Sequence, residues 1–263
     1  MSQETPNIES ENNIETQIRP VECLVILGRG IEKVNVEGKE VWKPTRYIQR
    51  LNSKGFRTGS REPALGANDA TETEKVFVAG GTANVLAGIE FYEMFKEKGQ
   101  EPKLVIFAAG RPAYLDEEPA GFNEGEPMKE IFDRRIGNED HETIIQGDDK
   151  NTKDDVVNSL KNALEKGMET VAIINTEIAM PRTQEFYKLA LQENPEFSQL
   201  KVYFIESERL LKERYKDNPV ALSEFEKIQN ELKSSEAWKY TKEREDGGIQ
   251  AIRDGKYKGK GKY

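Results

Sequence analysis

The sequence predicts an α/β protein of Rossmann-like character, in which helices flank a mostly parallel sheet. The first observation is a series of short, continuous apolar runs, typical of strands buried on both faces: CLVILG, KLVIFAAG and TVAIIN. The second is that segments with helical spacing of apolar residues separate these runs, and such alternation is typical of right-handed βαβ units. The third is that glycines directly follow several runs, where tight strand-to-helix turns are expected.

The first part of the chain predicts one strand and a small insertion before the regular pattern begins. Residues 1–19 are polar and acidic, and we expect them to form a disordered tail. A buried strand is predicted at 21–27, and the segment KVNVEGKEVW predicts a hairpin that projects from the main sheet. Residues 45–51 are expected to form a short helix, and 52–73, rich in small polar residues, a mobile loop.

Strands and helices alternate regularly from Lys75 onward. The predicted strands are KVFVA, KLVIFAA, ETIIQ, TVAII and KVYFIE. The predicted helices lie at 82–98, at 126–135, from 151 onward and at 180–192, with two charged helices at 207–216 and 219–235. The domain organisation follows as an α/β domain over 20–206, packed C-terminal helices over 207–245 and a basic flexible tail over 246–263.

Composition and charge narrow the class of protein. None of the 263 residues lies in an apolar run near the roughly 20 residues that span a bilayer, and the acidic N-terminus is unlike a signal peptide. We therefore expect a cytoplasmic protein without a membrane span. The net charge of -9 argues against nucleic-acid binding; for the basic C-terminal cluster GKYKGKGKY a solubilising tail is favoured, with RNA or anionic lipid as the alternative.

The cysteine and histidine content excludes several kinds of site. Cys23 is the one cysteine, which excludes an internal disulfide and a cysteine-rich metal site. His141 is the one histidine and lies in the polar segment GNEDHET, so we predict a surface loop residue. A Ser-His-Asp mechanism or a histidine-based metal site therefore has little support, and no metal ligand is predicted from these residue types.

Two glycine-containing turns are candidate anion sites, because ligands of open α/β sheets bind beyond the carboxyl ends of strands. In LGRG, Gly28 and Gly30 would let a ligand approach the backbone, and Arg29 could pair with a phosphate. In AGGT, residues 79–82, two glycines and a capping threonine form an anion nest. Neither turn matches the dinucleotide or P-loop fingerprint, and a plain tight turn explains each of them as well.

Two later strand ends carry charged and polar candidates. After KLVIFAA come Gly110 and Arg111, which could hold an anion, and then Glu126 at a helix start. Glu126 could act as a base or metal ligand, or it could simply be a first-turn acid favoured by the helix dipole. In GDDKNTKDD, Asn151 and Thr152 are a helix cap first and a binding arrangement second.

Several segments have the order and spacing of one known family: LVILGRG, AGIEFYEMF before KLVIFAAG, EGEPM, DKNTKDDVVNSL and NTEIAMPRTQEFY. Over residues 21–187 they resemble the YdcF/SanA/ElyC family, a bacterial domain of unknown function with a Rossmann-like fold. The last three segments are the specific part. The resemblance implies a cleft at the strand ends lined by the matching positions, which are Gly28, Gly110, Glu126, Asn151, Thr152, Asn175, Thr176 and Arg182.

The chain also departs from the family pattern. The family's histidine falls at Ala179 and its arginine falls near Asn84. Its Ser-Gly-Gly turn is Ala108-Ala109-Gly110, the serine before Asn-Thr is Asp149, and the glutamate before that is Gln146. Some relatives carry a membrane anchor and are linked to the cell envelope, and S-adenosylmethionine binding has been associated with one. Without the histidine and arginine, binding is better supported than catalysis.

The sequence thus predicts a protein that binds a nucleotide-type or phosphorylated small molecule at its strand ends, with S-adenosylmethionine or a nucleotide as the candidate cofactor. One alternative is a transferase or hydrolase for a phosphorylated envelope or nucleotide substrate. In it Glu126 is the catalytic candidate and Glu126 with the Asp148/Asp149 loop could hold Mg²⁺. The other alternative is a scaffold that binds a protein partner through its C-terminal helices. The sequence does not fix the oligomeric state.

Overall fold

Ten strands and seven helices make up the part of the chain that the computed structural model describes, residues 21–51, 57–63, 75–110, 123–137 and 141–257. The strands are β1 (Cys23–Leu27), β2 (Ile31–Val36), β3 (Lys39–Pro44), β4 (Ile48–Leu51), β5 (Arg57–Arg61), β6 (Lys75–Val78), β7 (Leu104–Ala108), β8 (Glu142–Gln146), β9 (Thr170–Asn175) and β10 (Lys201–Glu206). The helices are α1 (Gly81–Lys96), α2 (Gly125–Ile136), α3 (Thr152–Glu165), α4 (Met180–Glu193), α5 (Ser207–Arg214), α6 (Pro219–Ser234) and α7 (Glu236–Arg253), with a 3-10 turn (Pro195–Gln199) before β10.

A five-stranded, all-parallel sheet forms the centre of the fold, in the order β10-β9-β1-β7-β8. The chain builds outward from β1 through β7 to β8, then returns to the other side of β1 with β9 and β10. This is the strand order of Rossmann folds, and it puts a crevice at the carboxyl ends of β1 and β9. The predicted α/β fold is confirmed.

Both faces of this sheet are covered, which is why β1 and β7 at its centre are apolar throughout. Every residue of β1 and of β7 is buried. On one face Ile26 and Phe107 belong to a core shared with α1, α2 and α5, and on the other face Val25 and Ile106 belong to a core shared with α3 and α4. Burial of one such side chain contributes about 1.5–3 kcal/mol, so the covered sheet is a major source of stability.

Strands β2–β6 form an insertion between β1 and α1. β2 and β3 form the predicted hairpin, and the other three form an antiparallel sheet in the order β5-β4-β6. The short helix predicted over 45–51 is wrong, because Ile48–Leu51 pairs with a strand on each side and this pairing overrides a weak local preference. The loop prediction for 52–73 is likewise wrong over Arg57–Arg61, which is β5.

The C-terminal helices pack on the core, and there is a third one, α7, beyond the two that the sequence predicted. α7 begins after Ser235, whose Oγ accepts a hydrogen bond from the backbone N of Trp238 (3.1 Å). It continues to Arg253, beyond residue 246, where a flexible tail was predicted to begin. The Oγ1 of Thr241 accepts a hydrogen bond from the backbone N of Val78 (2.6 Å), so α7 covers the end of β6. None of the helices in the described ranges is long and apolar enough to cross a membrane.

Candidate functional site

The glycine turn after β1 and the glycine turn before α1 are neighbours in space. A Cβ on Gly81 would lie 3.0 Å from the carbonyl oxygen of Gly30. The Arg29 side chain donates from Nε to the carbonyl of Ala79 (3.2 Å) and from Nη2 to the carbonyl of Val78 (3.1 Å). The two turns are therefore far apart in the sequence, on either side of the insertion, but adjacent in the fold. Two candidate anion sites that the sequence suggested separately form a single cluster of loops.

The hydrogen-bonding groups of Thr82, at the start of α1, are already bonded to other parts of the chain. The backbone N of Thr82 donates to the carbonyl of Thr45 (2.9 Å), and its hydroxyl donates to the carbonyl of Pro44 (2.9 Å). Gly80 has a left-handed backbone (φ 88°), and a Cβ there would lie 2.6 Å from the Cγ2 of Thr176. These contacts favour the tight-turn interpretation of AGGT over an anion nest.

A buried glutamate lies against the turn after β1, and it is Glu124. Its Oε2 accepts a hydrogen bond from the backbone N of Gly30 (2.8 Å). A Cβ on Gly28 would lie 2.7 Å from the same oxygen and 2.4 Å from the Cβ of Ala109, so glycine is required for this approach. Glu126, the carboxylate that the sequence favoured, is exposed on the next turn of the chain. The carboxylate at the strand ends is therefore that of Glu124 and not that of Glu126.

A closed network of buried polar side chains joins the ends of β1 and β9. The Nδ2 of Asn84 donates to the carbonyl of Leu27 (2.7 Å) and to the Oδ1 of Asn175 (3.2 Å), and its Oδ1 accepts from the Ser207 hydroxyl. The Nδ2 of Asn175 donates to the Oγ1 of Thr183 (3.0 Å). Asn84, at the position where the family resemblance implies an arginine, thus links α1 to β1, β9 and α5 at the crevice.

We expect Asn84→Ala to lower the free energy of unfolding by about 2 kcal/mol, because it leaves buried partners without their hydrogen bonds. Asn84 is 0% exposed, so water cannot replace the lost donor without rearrangement. Chemical denaturation measures the change. Asn230→Ala, on an exposed position of α6, is the matched control and should change stability by less than about 0.5 kcal/mol. Equal effects of the two substitutions would contradict the role of the network.

Two arginines meet one carboxylate beside this network. Arg182, at the start of α4, places Nε 2.9 Å from the Oε2 of Glu245. Arg29 places Nη1 3.5 Å from the Oε1 of the same residue. Glu245 comes from α7 and is only 6% exposed. A cation at a helix start is unfavourable unless an anion is near, and for Arg182 Glu245 is that anion.

Acidic side chains collect on the other side of the crevice, beyond β7 and β8. Asp149 is buried and accepts a hydrogen bond from the Nδ2 of Asn158. Burial raises the pKa of Asp155 well above its ordinary value, and the carboxylates of Asp149 and Glu124 raise it further. Burial likewise raises the pKa of Asp149. The two aspartates share a hydrogen bond, so one proton between them is favoured over two adjacent negative charges.

The remaining predicted residues in this region have structural roles or lie apart. Asn151 caps α3 as predicted: its Oδ1 accepts from the backbone N of Lys153 (2.9 Å), and Thr152 follows as the first helical residue. Asp148 and Glu126 are exposed whereas Asp149 is buried, so the three do not share one environment for Mg²⁺. Among the described residues, no group of three or more His, Cys, Asp or Glu side chains could hold a metal ion.

A third polar cluster lies under α6, next to the end of β9. The Oε2 of Glu208 accepts a hydrogen bond from the backbone N of Glu177 (2.7 Å). Burial raises the pKa of Glu208 to about 7. Burial is also the main reason that the pKa of Tyr47 is raised; the Glu208 carboxylate adds to the effect and Gln229 opposes it. The three residues therefore form a buried group at the edge of the crevice.

Two further predictions concern Arg111 and His141. Arg111 lies outside the described residues. His141 lies in a loop as predicted but is half-buried, and its ring lies 5.1 Å from the Tyr92 ring and 5.6 Å from the Phe132 ring, centroid to centroid. A polar sequence around the histidine concealed this contact because Tyr92 and Phe132 come from α1 and α2.

The structure therefore brings together Gly28, Gly30, Asn175, Thr176 and Arg182 around the crevice between β1 and β9, and it adds Asn84, Glu124 and Glu245. In the sequence Asn84 was noted only as the position of the family's arginine, and Glu124 only as the first residue of EGEPM, whereas Glu245 carried no signal at all. No protein-family model, curated protein or solved structure matches the chain.

Proposed function

We propose that the protein binds a small phosphorylated or nucleotide-type molecule in the crevice between β1 and β9, with Arg29 and Arg182 as partners of its anionic group. The observation that carries this proposal is that both guanidinium groups lie within ion-pair distance of one carboxylate, Glu245. Guanidinium groups bind phosphate oxygens strongly, and the crevice of a Rossmann-type sheet is where such ligands bind.

The distribution of charge supports a defined orientation of the ligand. Beyond β7 and β8, the carboxylates of Asp149 and Glu124 lie close enough to Asp155 to raise its pKa. The negative charge of this group would repel a phosphate. The guanidinium groups of Arg29 and Arg182 lie elsewhere, against Glu245 of α7. We therefore expect the phosphate near Arg29 and Arg182 and the neutral, hydroxyl-bearing part of the ligand near Gly28 and Glu124.

The proposal concerns binding and needs no reaction. It is compatible with the resemblance to the YdcF/SanA/ElyC family, which stays a prediction, and it does not require the histidine that this chain replaces by Ala179. S-adenosylmethionine enters the set of test ligands because of that resemblance. A nucleotide-type ligand also suits the cytoplasmic location that we expect from the sequence.

Thermal unfolding in the presence of ATP, inorganic pyrophosphate, sugar phosphates and S-adenosylmethionine tests the proposal. A ligand at about 100 times its dissociation constant should stabilise the protein by about 2.7 kcal/mol. Arg182→Ala should weaken binding of the phosphorylated ligands by at least tenfold, because it removes one of the two guanidinium groups.

Arg135→Ala is the matched control. Arg135 is likewise an arginine in an ion pair, with Glu93 of α1, but its side chain is 58% exposed and neither residue belongs to α4 or α7. Its replacement should leave ligand binding unchanged. The proposal is contradicted if no phosphorylated ligand stabilises the protein, or if Arg182→Ala and Arg135→Ala bind the ligand equally well.

A further inference from the structure

The carboxylate between the two arginines belongs to the last helix rather than to the sheet. Glu245 is on α7, and its Oε2 lies 2.9 Å from the Nε of Arg182. We infer that Glu245 is an internal competitor of the ligand: it holds the position of the ligand's anionic group, and α7 moves aside when a phosphate binds. This inference rests on the proposed function, and it adds a means of regulating the same site.

The charges favour exchange of Glu245 for a phosphate. Arg29 and Arg182 share this one carboxylate, and all three side chains are largely buried, with exposures of 12%, 21% and 7%. Charges removed from water are stable only when they are well matched. A phosphate monoester dianion or a pyrophosphate matches two guanidinium groups better than one carboxylate does. The site thus prefers ligands that carry at least two negative charges.

Two glycines in α7 make displacement of this helix from Arg182 easier. Gly247 and Gly248 are adjacent in its interior, where glycine weakens a helix relative to alanine. A Cβ on Gly248 would lie 3.1 Å from the Cδ of Arg182, so the glycine lets the helix backbone lie directly on that arginine. The glycines therefore weaken the helix at the segment that covers the site.

One arginine stays in position when α7 moves. Arg29 is held by the carbonyl oxygens of Val78 and Ala79, which belong to β6 and the turn after it. Both acceptors lie outside α7. Thr241 of α7 is itself bonded to the backbone N of Val78, so the displacement concerns the helix from Glu245 to Arg253 and leaves that bond in place. The site is therefore still partly formed in the open state, and a phosphate arriving there meets an oriented guanidinium group.

Calorimetric titration with inorganic pyrophosphate, combined with amide hydrogen exchange of residues 236–253, tests the inference on the full chain. In the wild-type protein, pyrophosphate should bind and increase exchange in α7. Glu245→Gln should bind pyrophosphate at least tenfold more tightly and show increased α7 exchange before any ligand is added. Glu243→Gln, an exposed neighbour on the same helix, should behave as the wild type in both measurements.

The outcomes separate this inference from the proposed function. If pyrophosphate binds in a manner that depends on Arg182 while exchange in α7 stays unchanged or decreases, α7 is not displaced; the competitor is then ruled out and the binding site remains. If neither the wild type nor Glu245→Gln binds pyrophosphate or ATP, both proposals fail together. Tighter binding by Glu243→Gln as well would attribute the effect to surface charge and also overturn the inference.

Discussion

Replacing Gly110 by alanine is expected to lower the free energy of unfolding by about 3 kcal/mol or more. A Cβ at this position would lie 1.8 Å from the carbonyl oxygen of Asp149 and 2.8 Å from its Cα. Both are backbone atoms of the loop after β8, so no side-chain rotation can relieve the overlap and the loop must move. That movement would also disturb the buried side chain of Asp149. Urea unfolding followed by circular dichroism measures the loss.

Gly247→Ala is the control for this prediction. Gly247 is in α7, and a Cβ there would meet no atom within 4 Å. Because alanine favours helix over glycine, this substitution should raise the free energy of unfolding by about 0.5–1 kcal/mol. A loss of stability at Gly110 no larger than the change at Gly247 would show that the two loops do not approach as closely as described.

Replacing Glu208 by glutamine is expected to remove a pH dependence of about 3 kcal/mol from the stability of the protein. Burial raises the pKa of Glu208 from 4.5 to about 7; the hydrogen bond from the backbone of Glu177 opposes this, and the carboxylates of Glu177 and Glu206 add to it. The folded state thus holds the proton more tightly than the unfolded chain. Its contribution to stability is complete below pH 4.5 and is lost as the pH rises through about 7.

Denaturant unfolding between about pH 5 and 8 measures this effect. The wild type and Glu208→Gln should be similar at the acidic end, and the variant should become more stable by about 3 kcal/mol at the basic end. Glu224→Gln, an exposed carboxylate on α6, is the control and should follow the wild type. A constant difference between wild type and Glu208→Gln over the whole range would show that the carboxyl group titrates normally.

The parallel sheet could be predicted because its strands are buried on both faces. LVIFA has no polar residue and TVAIIN has them only at its first and last positions, and few other structures need that pattern. The strand Ile48–Leu51 could not be predicted in the same way. Its sequence, IQRL, contains polar residues, and it is a strand because β5 and β6 pair with it. Local sequence does not record partners that are distant in the chain.

The candidate site could be predicted only in part, for a related reason. Glycines after buried strands led to Gly28 and Gly110, where close approach of other chain segments requires glycine. Glu245 could not be found, because nothing near it distinguishes it from the exposed glutamates of a charged helix. Its importance comes from the packing of α7 against Arg29 and Arg182. The sequence favoured Glu126, but only the structure shows that Glu124, two residues earlier, is the one that faces the sheet.

The insertion between β1 and α1 has a consequence for the order of folding. β1 is made before its neighbours in the sheet, since the residues opposite Cys23 are Leu104 on one side and Val171 on the other. Contacts between residues so far apart form slowly, because a long loop must close first. β7 and β8, and likewise β9 and β10, are each separated by a single helical connection and can pair soon after synthesis. The apolar β1 strand therefore waits for β9 to emerge from the ribosome before it has neighbours on both sides, and until then it is the segment most open to aggregation or to a chaperone.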